Sequence, residues 1–337
     1  MPSAVNSLLI VVIAAAASAG TIIALKPFLA RYAVAQPNER SSHTRPTPQG
    51  GGIAVIAATI LAVLAGAAIS GAAASAAANL WPLAAAVVLL ALTGACDDAL
   101  HLPVAPRFIA QLIAVGIVLA MLPAETRIVP LLPWWIERGL LLLAGVYAVN
   151  VANFMDGLDW MTVAETVPVT AGLWILSLFG ALSWLETSVA LALLGAMVGF
   201  APFNRPIATL FLGDVGSLPI GLLLFWLLLQ LAAHGHLAAA LLLPLYYVAD
   251  ATITLALRLV RRENVLRPHR THFYQRATDR GYSVAAVVTS VFFVNVALAF
   301  LATMTVGRQT TEAQALALAL GASAVLVVLV RFAWGKR

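Results

Sequence analysis

The stretch WPLAAAVVLLALTGACDDALHLPVAPR, residues 81–107, decides how the rest of the chain is read. Residues 81–95 carry no charge, then Asp97 and Asp98 arrive together and Arg107 follows. An apolar run of this kind approaches the ~20 residues that cross a bilayer as a helix. Two neighbouring carboxylates at its end are costly at a membrane boundary unless they are solvated, paired or bound to a cation. A solvated helix end would also accommodate them, so the stretch alone leaves both readings open.

The same pattern recurs along the chain. Of its 337 residues, 62% are hydrophobic and 10% are charged. A soluble domain carries about 25% charged residues, so this chain lacks the charge to cover a water-facing surface. The expected fold is all-α: one polytopic membrane domain over residues 1–337. About eleven spans are predicted, at 3–25, 51–70, 81–95, 108–122, 134–151, 163–181, 187–203, 218–233, 237–257, 284–305 and 313–331. Residues 71–78 read as a short external hairpin. The single cysteine, Cys96, excludes a disulfide framework and a cysteine metal cluster.

Charge orients the bundle. Residues 1–9 contain no Lys or Arg, and Lys26 and Arg31 follow the first apolar run, which suits a spanning helix better than a signal peptide. With the N-terminus outside and the C-terminus in the cytoplasm, all but Arg127, Arg138 and Arg308 of the 19 Lys and Arg residues fall on the inner side. The net charge of +5 therefore reflects short inter-helix loops and does not point to nucleic acid. The polar segments 40–52, 96–107, 150–159, 203–217 and 258–281 then share the cytoplasmic face. Sequence-distant polar segments gathered on one face are expected to form one composite site.

Asn150, Asn153, Asp156 and Asp159 step by three in NVANFMDGLD, which on a helix keeps them near one face. Such a row suits a polar ligand or a metal, although an ordinary helix exit through a turn would use the same residues. Asp214 lies between Gly213 and Gly216. A Mg²⁺ site typically takes one or two protein carboxylates and completes its shell with phosphate and water, while neighbouring glycines let backbone amides approach phosphate oxygens. A capped turn is the plain alternative. His269 and His272 lie in an arginine-rich loop that suits phosphate oxygens or anionic lipid headgroups. The glycines at 50–52 open a span and are able to present amides, though a plain connector fits them better. Asp250 and Glu165 lie inside expected spans, where a carboxylate is a functional hypothesis by default.

In this order, these segments resemble the polyprenyl-phosphate N-acetylhexosamine-1-phosphate transferases of glycosyltransferase family 4. His43–Gly52 is similar to H-x-x-P-T-P-x-G-G-G, Asp97-Asp98 to the family's paired aspartates, Asn150–Asp159 to N-x-x-N-x-x-D-G-x-D, and Phe211–Gly221 to F-x-G-D-x-G-S-x-x-x-G. His269-Arg-Thr-His272 departs from the triple histidine of the pentapeptide translocases and looks like the O-antigen-initiating branch. Trp160-Met161 departs from the small residues usual after the aspartate motif and leaves the sugar open.

The resemblance implies a Mg²⁺-dependent enzyme, with Mn²⁺ as an alternative metal, in the bacterial inner membrane. It would transfer an N-acetylhexosamine-1-phosphate of GlcNAc, FucNAc or QuiNAc type from a UDP-sugar to undecaprenyl phosphate, releasing UMP. Asp97 and Asp98 are implied as catalytic, and Asp214 as the metal ligand. His43, Asn150, Asn153, Asp156, Asp159, His269, Arg270 and His272 are implied as substrate-binding residues. The partners are the nucleotide sugar, the lipid phosphate and membrane lipid, with a homodimer compatible and no nucleic acid. A transporter or lipid flippase is the rival reading, because Asp250 and Glu165 would suit a proton relay. A scaffold for soluble glycosyltransferases is a third.

Overall fold

The computed structural model describes residues 2–36, 45–71, 73–264, 269–307 and 310–335. Long helices dominate: α1 Ala4–Tyr32, α2 Gly51–Ser70, α3 Ala73–Leu100, α4 Val104–Ala120, α5 Trp134–Met155, α6 Met161–Leu178, α7 Trp184–Phe200 and α8 Asp214–Ala233. They are followed by the short α9 Leu237–Leu242, α10 Leu245–Val260, the short α11 Phe273–Asp279, α12 Val284–Gly307 and α13 Thr311–Trp334. Among the described residues, nine helices are long and apolar enough to cross a membrane. The chain is therefore a multi-pass membrane protein.

Each of the eleven expected spans meets helix, but two do not reach spanning length. The fourth is the 17-residue α4. The ninth is interrupted at Leu243-Pro244, which separates α9 from α10. Proline lacks an amide proton and clashes with the preceding turn, so the helix stops there. The expected hairpin at 71–78 is also corrected: Gly71 closes α2 in a left-handed conformation, and α3 begins at Ala73. The all-α expectation misses one small feature. Val34–Ala35 pairs antiparallel with Thr47–Pro48, and Gln49 bridges to Phe211. These links tie the entry to α2 onto the segment before α8.

Position in the bundle separates helices of similar hydropathy. The apolar window of α8 is 83% buried, whereas those of α1 and α13 are 22% buried. Lipid and protein interior are both apolar, so hydrophobicity alone does not tell a central helix from a lipid-facing one. Small residues make the difference at the site end of α8. A Cβ on Gly52 of α2 would overlap the backbone of Gly216, and one on Gly94 of α3 would overlap that of Asp214. The three backbones meet in direct contact, and this places the paired aspartates of α3 over the start of α8.

Candidate active site

The centre is built where α3 ends and α8 begins. Asp98 Oδ1 accepts the Asp214 amide at 3.1 Å, and its Oδ2 accepts the Val215 amide at 3.2 Å. The first amides of a helix have no partner within the helix. The residue before α8 is Gly213 at φ 77°, which offers no side-chain cap, so Asp98 supplies the cap from a distant segment. Asp97 is equally committed. It accepts the Leu102 amide at 2.7 Å and pairs with Arg107 at 2.5 Å. Asp97 and Asp214 stand close enough for their like charges to interact. Asn153 donates to Asp214 at 2.7 Å and to Ser217 at 2.9 Å. Three motif segments thus converge on one carboxylate, Asp214.

The expected helical row at 150–159 is corrected. Only Asn150 and Asn153 are helical, because α5 ends at Met155. Asn150 is held by a reciprocal amide pair with Gln111 of α4, at 2.7 and 3.3 Å, and also donates to the Val146 carbonyl. Asp156 follows the helix end and accepts the Thr162 hydroxyl. Desolvation pushes its pKa up to about 7; the charges of Asp98 and Asp159 add to the rise and the Thr162 bond opposes it. Asp159 turns elsewhere and accepts the Ala208 amide at 2.9 Å. Trp160 is in a left-handed conformation, φ 64°, that a bulky residue rarely adopts. It is held there by a bond from its amide to Asn204 (2.8 Å) and one from its indole to the Ala201 carbonyl (2.6 Å). Asp159 and Trp160 therefore splint two loops together.

The histidine segment is placed by Asp250. This fully buried carboxylate accepts the Phe273 amide at 2.9 Å, the Tyr274 amide at 3.1 Å and the Tyr246 hydroxyl at 3.2 Å. His272 Nδ1 lies 3.3 Å from it. Asp250 therefore anchors the start of α11, a positioning task that gives no support to a proton relay. His272 is buried and stacks on His269 at 4.9 Å. Burial, then the charges of His272 and Arg258, lower the His269 pKa to about 4. Arg270 pairs with Asp279 at 2.7 Å. The Tyr274 hydroxyl donates to the Phe154 carbonyl at 2.9 Å and occupies the space that a Cβ on Gly157 would fill. Through Tyr274 the histidine segment meets the end of α5, one residue from Asn153. His43 lies outside the described residues.

At residues 50–52 the connector reading fits better than amide presentation, and around Asp214 the backbone amides are likewise committed. The Gly51 and Gly52 amides donate to the Phe211 and Leu212 carbonyls, and those of Asp214 and Val215 are taken by Asp98. These glycines serve close packing. Gly94, Ser217, Thr162 and Tyr274 were not singled out from the sequence. Ser217 and Tyr274 carried a local signal, since they fall within the segments around Asp214 and His272.

Among the described residues, no group of three or more His, Cys, Asp and Glu side chains forms a metal cage. Asp97, Asp98 and Asp214 nevertheless bring hard oxygen donors together with one guanidinium, Arg107, to balance them. That donor set fits a Mg²⁺ ion, which needs only one or two protein carboxylates.

The sequence profile of glycosyl transferase family 4 matches residues 80–232. That range holds the paired aspartates, the 150–159 segment and Asp214, and excludes the histidine segment. Over 299 residues the chain is 24% identical to a probable undecaprenyl-phosphate N-acetylglucosaminyl 1-phosphate transferase of Bacillus subtilis, covering 84% of this chain and 82% of that protein. It is 27% identical over 334 residues to a decaprenyl-phosphate N-acetylglucosaminephosphotransferase of Mycolicibacterium smegmatis, covering 89% and 82%. A phospho-N-acetylmuramoyl-pentapeptide-transferase of Leuconostoc mesenteroides is 31% identical over 195 residues, covering 52% and 59%. The profile match falls on the residues that build the carboxylate centre, and the relatives are named for related transfers, so over residues 80–232 the chain is similar to glycosyl transferase family 4.

Proposed function

We propose that this protein transfers an N-acetylhexosamine-1-phosphate from a UDP-sugar to undecaprenyl phosphate at the cytoplasmic face of the bacterial inner membrane. One observation carries the reading: Asp97, Asp98, Asn153 and Asp214 converge from three distant segments at one end of the bundle. The relatives' names support it: two are N-acetylglucosamine phosphate transferases acting on a polyprenyl phosphate, and one is a phospho-N-acetylmuramoyl-pentapeptide-transferase.

A phosphate oxygen of the lipid attacks the β-phosphorus of the UDP-sugar. The bond from that phosphorus to the bridging oxygen of UMP breaks, and UMP leaves with the electron pair. The products are undecaprenyl-diphosphate-sugar and UMP. No proton need be removed, because a phosphate monoester with a second pKa near ~6 is largely dianionic at neutral pH. This agrees with the commitments of the paired aspartates. Asp98 spends both oxygens on amides of α8, and Asp97 is held by Arg107 and the Leu102 amide. Asp98 therefore acts by holding the start of α8 and Asp97 by adding negative charge beside Asp214, and neither serves as a general base in this reading.

Asp214, with Asp97 beside it, would hold Mg²⁺. When bound, the ion would screen the two anionic substrates and stabilise charge on the transferring phosphoryl group. Asn153 fixes the Asp214 carboxylate through its 2.7 Å bond. His269 stays neutral at physiological pH and is suited to hydrogen-bond the sugar diphosphate without adding charge. The sugar transferred would be of GlcNAc, FucNAc or QuiNAc type, and the product would initiate an O-antigen-like envelope glycan.

The test is UMP release by purified protein given undecaprenyl phosphate, Mg²⁺ and a panel of UDP-N-acetylhexosamines. UMP formed with one sugar, and lost without lipid or metal, is the expected result. No UMP with any sugar, together with intact glycan assembly in cells carrying Asp214→Ala, would overturn the reading.

A further inference from the structure

A second polar feature lies at the same end of the bundle and takes no part in the centre described above. Between Asp250 and Glu312 the sequence offers two acids, Glu263 and Asp279. Both are taken: Glu263 pairs with Arg258 at 2.8 Å and Asp279 with Arg270 at 2.7 Å. Arg261, Arg276, Arg280 and Arg331 have no ion pair among the described residues.

These four arginines come from three elements that meet. Arg261 closes α10. Arg276 and Arg280 lie one turn apart at the end of α11, where Arg280 is the cap. The Arg280 side chain lies against Gly335, at the exit of α13. Arg331 of α13 bonds the Tyr282 hydroxyl at 3.2 Å and sits over its ring at 5.3 Å. Desolvation first, then the charges of Arg280 and Arg261, depress the Arg276 pKa, as expected where like charges crowd together. Beside the arginines stand exposed apolar side chains at the ends of α10 and α13: Leu259 at 67%, Val260 at 81% and Trp334 at 76% exposure. Trp at such a border is characteristic of the membrane–water interface.

We propose that Arg261, Arg276, Arg280 and Arg331 form a binding site for the headgroup of an anionic phospholipid, with the acyl chains lying along the exposed apolar ends of α10 and α13. Charge complementarity calls for the anion, and the apolar border selects a lipid over a soluble anion. Arg276 lies in α11 and Arg280 caps it, so a bound headgroup would also tether the helix that carries Tyr274 and follows His272.

The experiment is native mass spectrometry of the detergent-purified full chain, offered equal amounts of POPG and POPC. Preferential retention of POPG that weakens with salt is expected. Arg276→Gln with Arg280→Gln should lower that preference about fivefold per arginine removed, while the paired Lys substitutions should keep most of it. Arg205→Gln removes a charge from an exposed loop outside the patch and should change nothing. Equal retention of the two lipids by the wild-type chain overturns the proposal, as does undiminished POPG preference in the double Gln variant. Displacement of POPG by millimolar inorganic phosphate would also overturn it, because the apolar border would then contribute nothing. Should the double variant fail to fold, the wild-type comparison and the phosphate competition still decide. None of these outcomes depends on sugar transfer.

Discussion

Asp98 and Glu137 do the same local work at two different places, and the difference between them separates a site from a structural lock. Each is a carboxylate that accepts two consecutive backbone amides of another segment. Glu137 takes those of Ile128 and Val129, at 2.6 and 2.9 Å, and Asp98 takes those of Asp214 and Val215. Glu137 also pairs with Arg127 at 2.5 Å, so its charge is balanced where it stands. Asp98 has no such partner among the described residues and instead neighbours Asp97 and Asp214. A buried charge left unbalanced is expensive. One compensated at once by an arginine is a structural device. One that gathers further carboxylates would be stabilised by a cation from outside the chain, which is the role proposed for Mg²⁺.

The sharpest way to break this comparison is Asp214→Ala. Losing the carboxylate proposed to hold Mg²⁺ should remove several kcal/mol of transition-state stabilisation, at least about a thousandfold in UMP release, while the thermal midpoint of the purified protein changes little. Arg127→Ala should do the reverse. It strands Glu137 as a buried unpaired charge at a cost of about 3 kcal/mol, the low end for buried pairs because the arginine is partly exposed. The midpoint should fall clearly while turnover per folded molecule holds. If Arg127→Ala instead removed turnover without loss of stability, the division between the two regions would fail.

Gly157→Ala comes next. The new methyl would meet the Tyr274 hydroxyl and push α11 from the end of α5. Displacing the histidine segment by about 1 Å should cost roughly ten- to a hundredfold in kcat/KM for the nucleotide sugar, and Tyr274→Phe together with Gly157→Ala should restore part of it. The smallest effect concerns Asp156. Its folded pKa of about 7 is above the ~3.9 of an unfolded aspartate. Protonation therefore favours the fold, fully below pH ~4, and that contribution is lost as pH rises through about 7. Asp156→Asn lacks the dependence, so the midpoint of the wild type relative to that variant should fall from pH 5 to pH 8. A constant difference would place the Asp156 titration elsewhere.

The two regions were unequally legible. Asp97-Asp98, Asn153 and Asp214 stood out because polar residues at the ends of apolar runs are rare enough to carry information. Glu137 did not stand out, since one acid near the start of a span looks like any interfacial charge. The spacing of 150–159 misled because a three-residue step looks helical whether or not the helix continues, and here it stops at Met155. Asp250 was visible as an intramembrane carboxylate, but its task was hidden: the amides it holds lie more than twenty residues away, beyond a loop.

Hydropathy, charge asymmetry and the motif ends, all properties of contiguous residues, determined by themselves that this chain is a bundle of membrane helices with its polar motif segments at the ends of apolar runs. The sequence could not say which helix lies at the centre, because lipid and protein interior look alike to an apolar side chain. Nor could it say which amides are spent on packing and which carboxylates remain uncompensated. Those outcomes rest on backbone contacts at Gly52, Gly94 and Gly216, which bring α2, α3 and α8 together. Whether a charge is balanced depends on which groups lie within a few ångströms of it, and only the tertiary structure decided that.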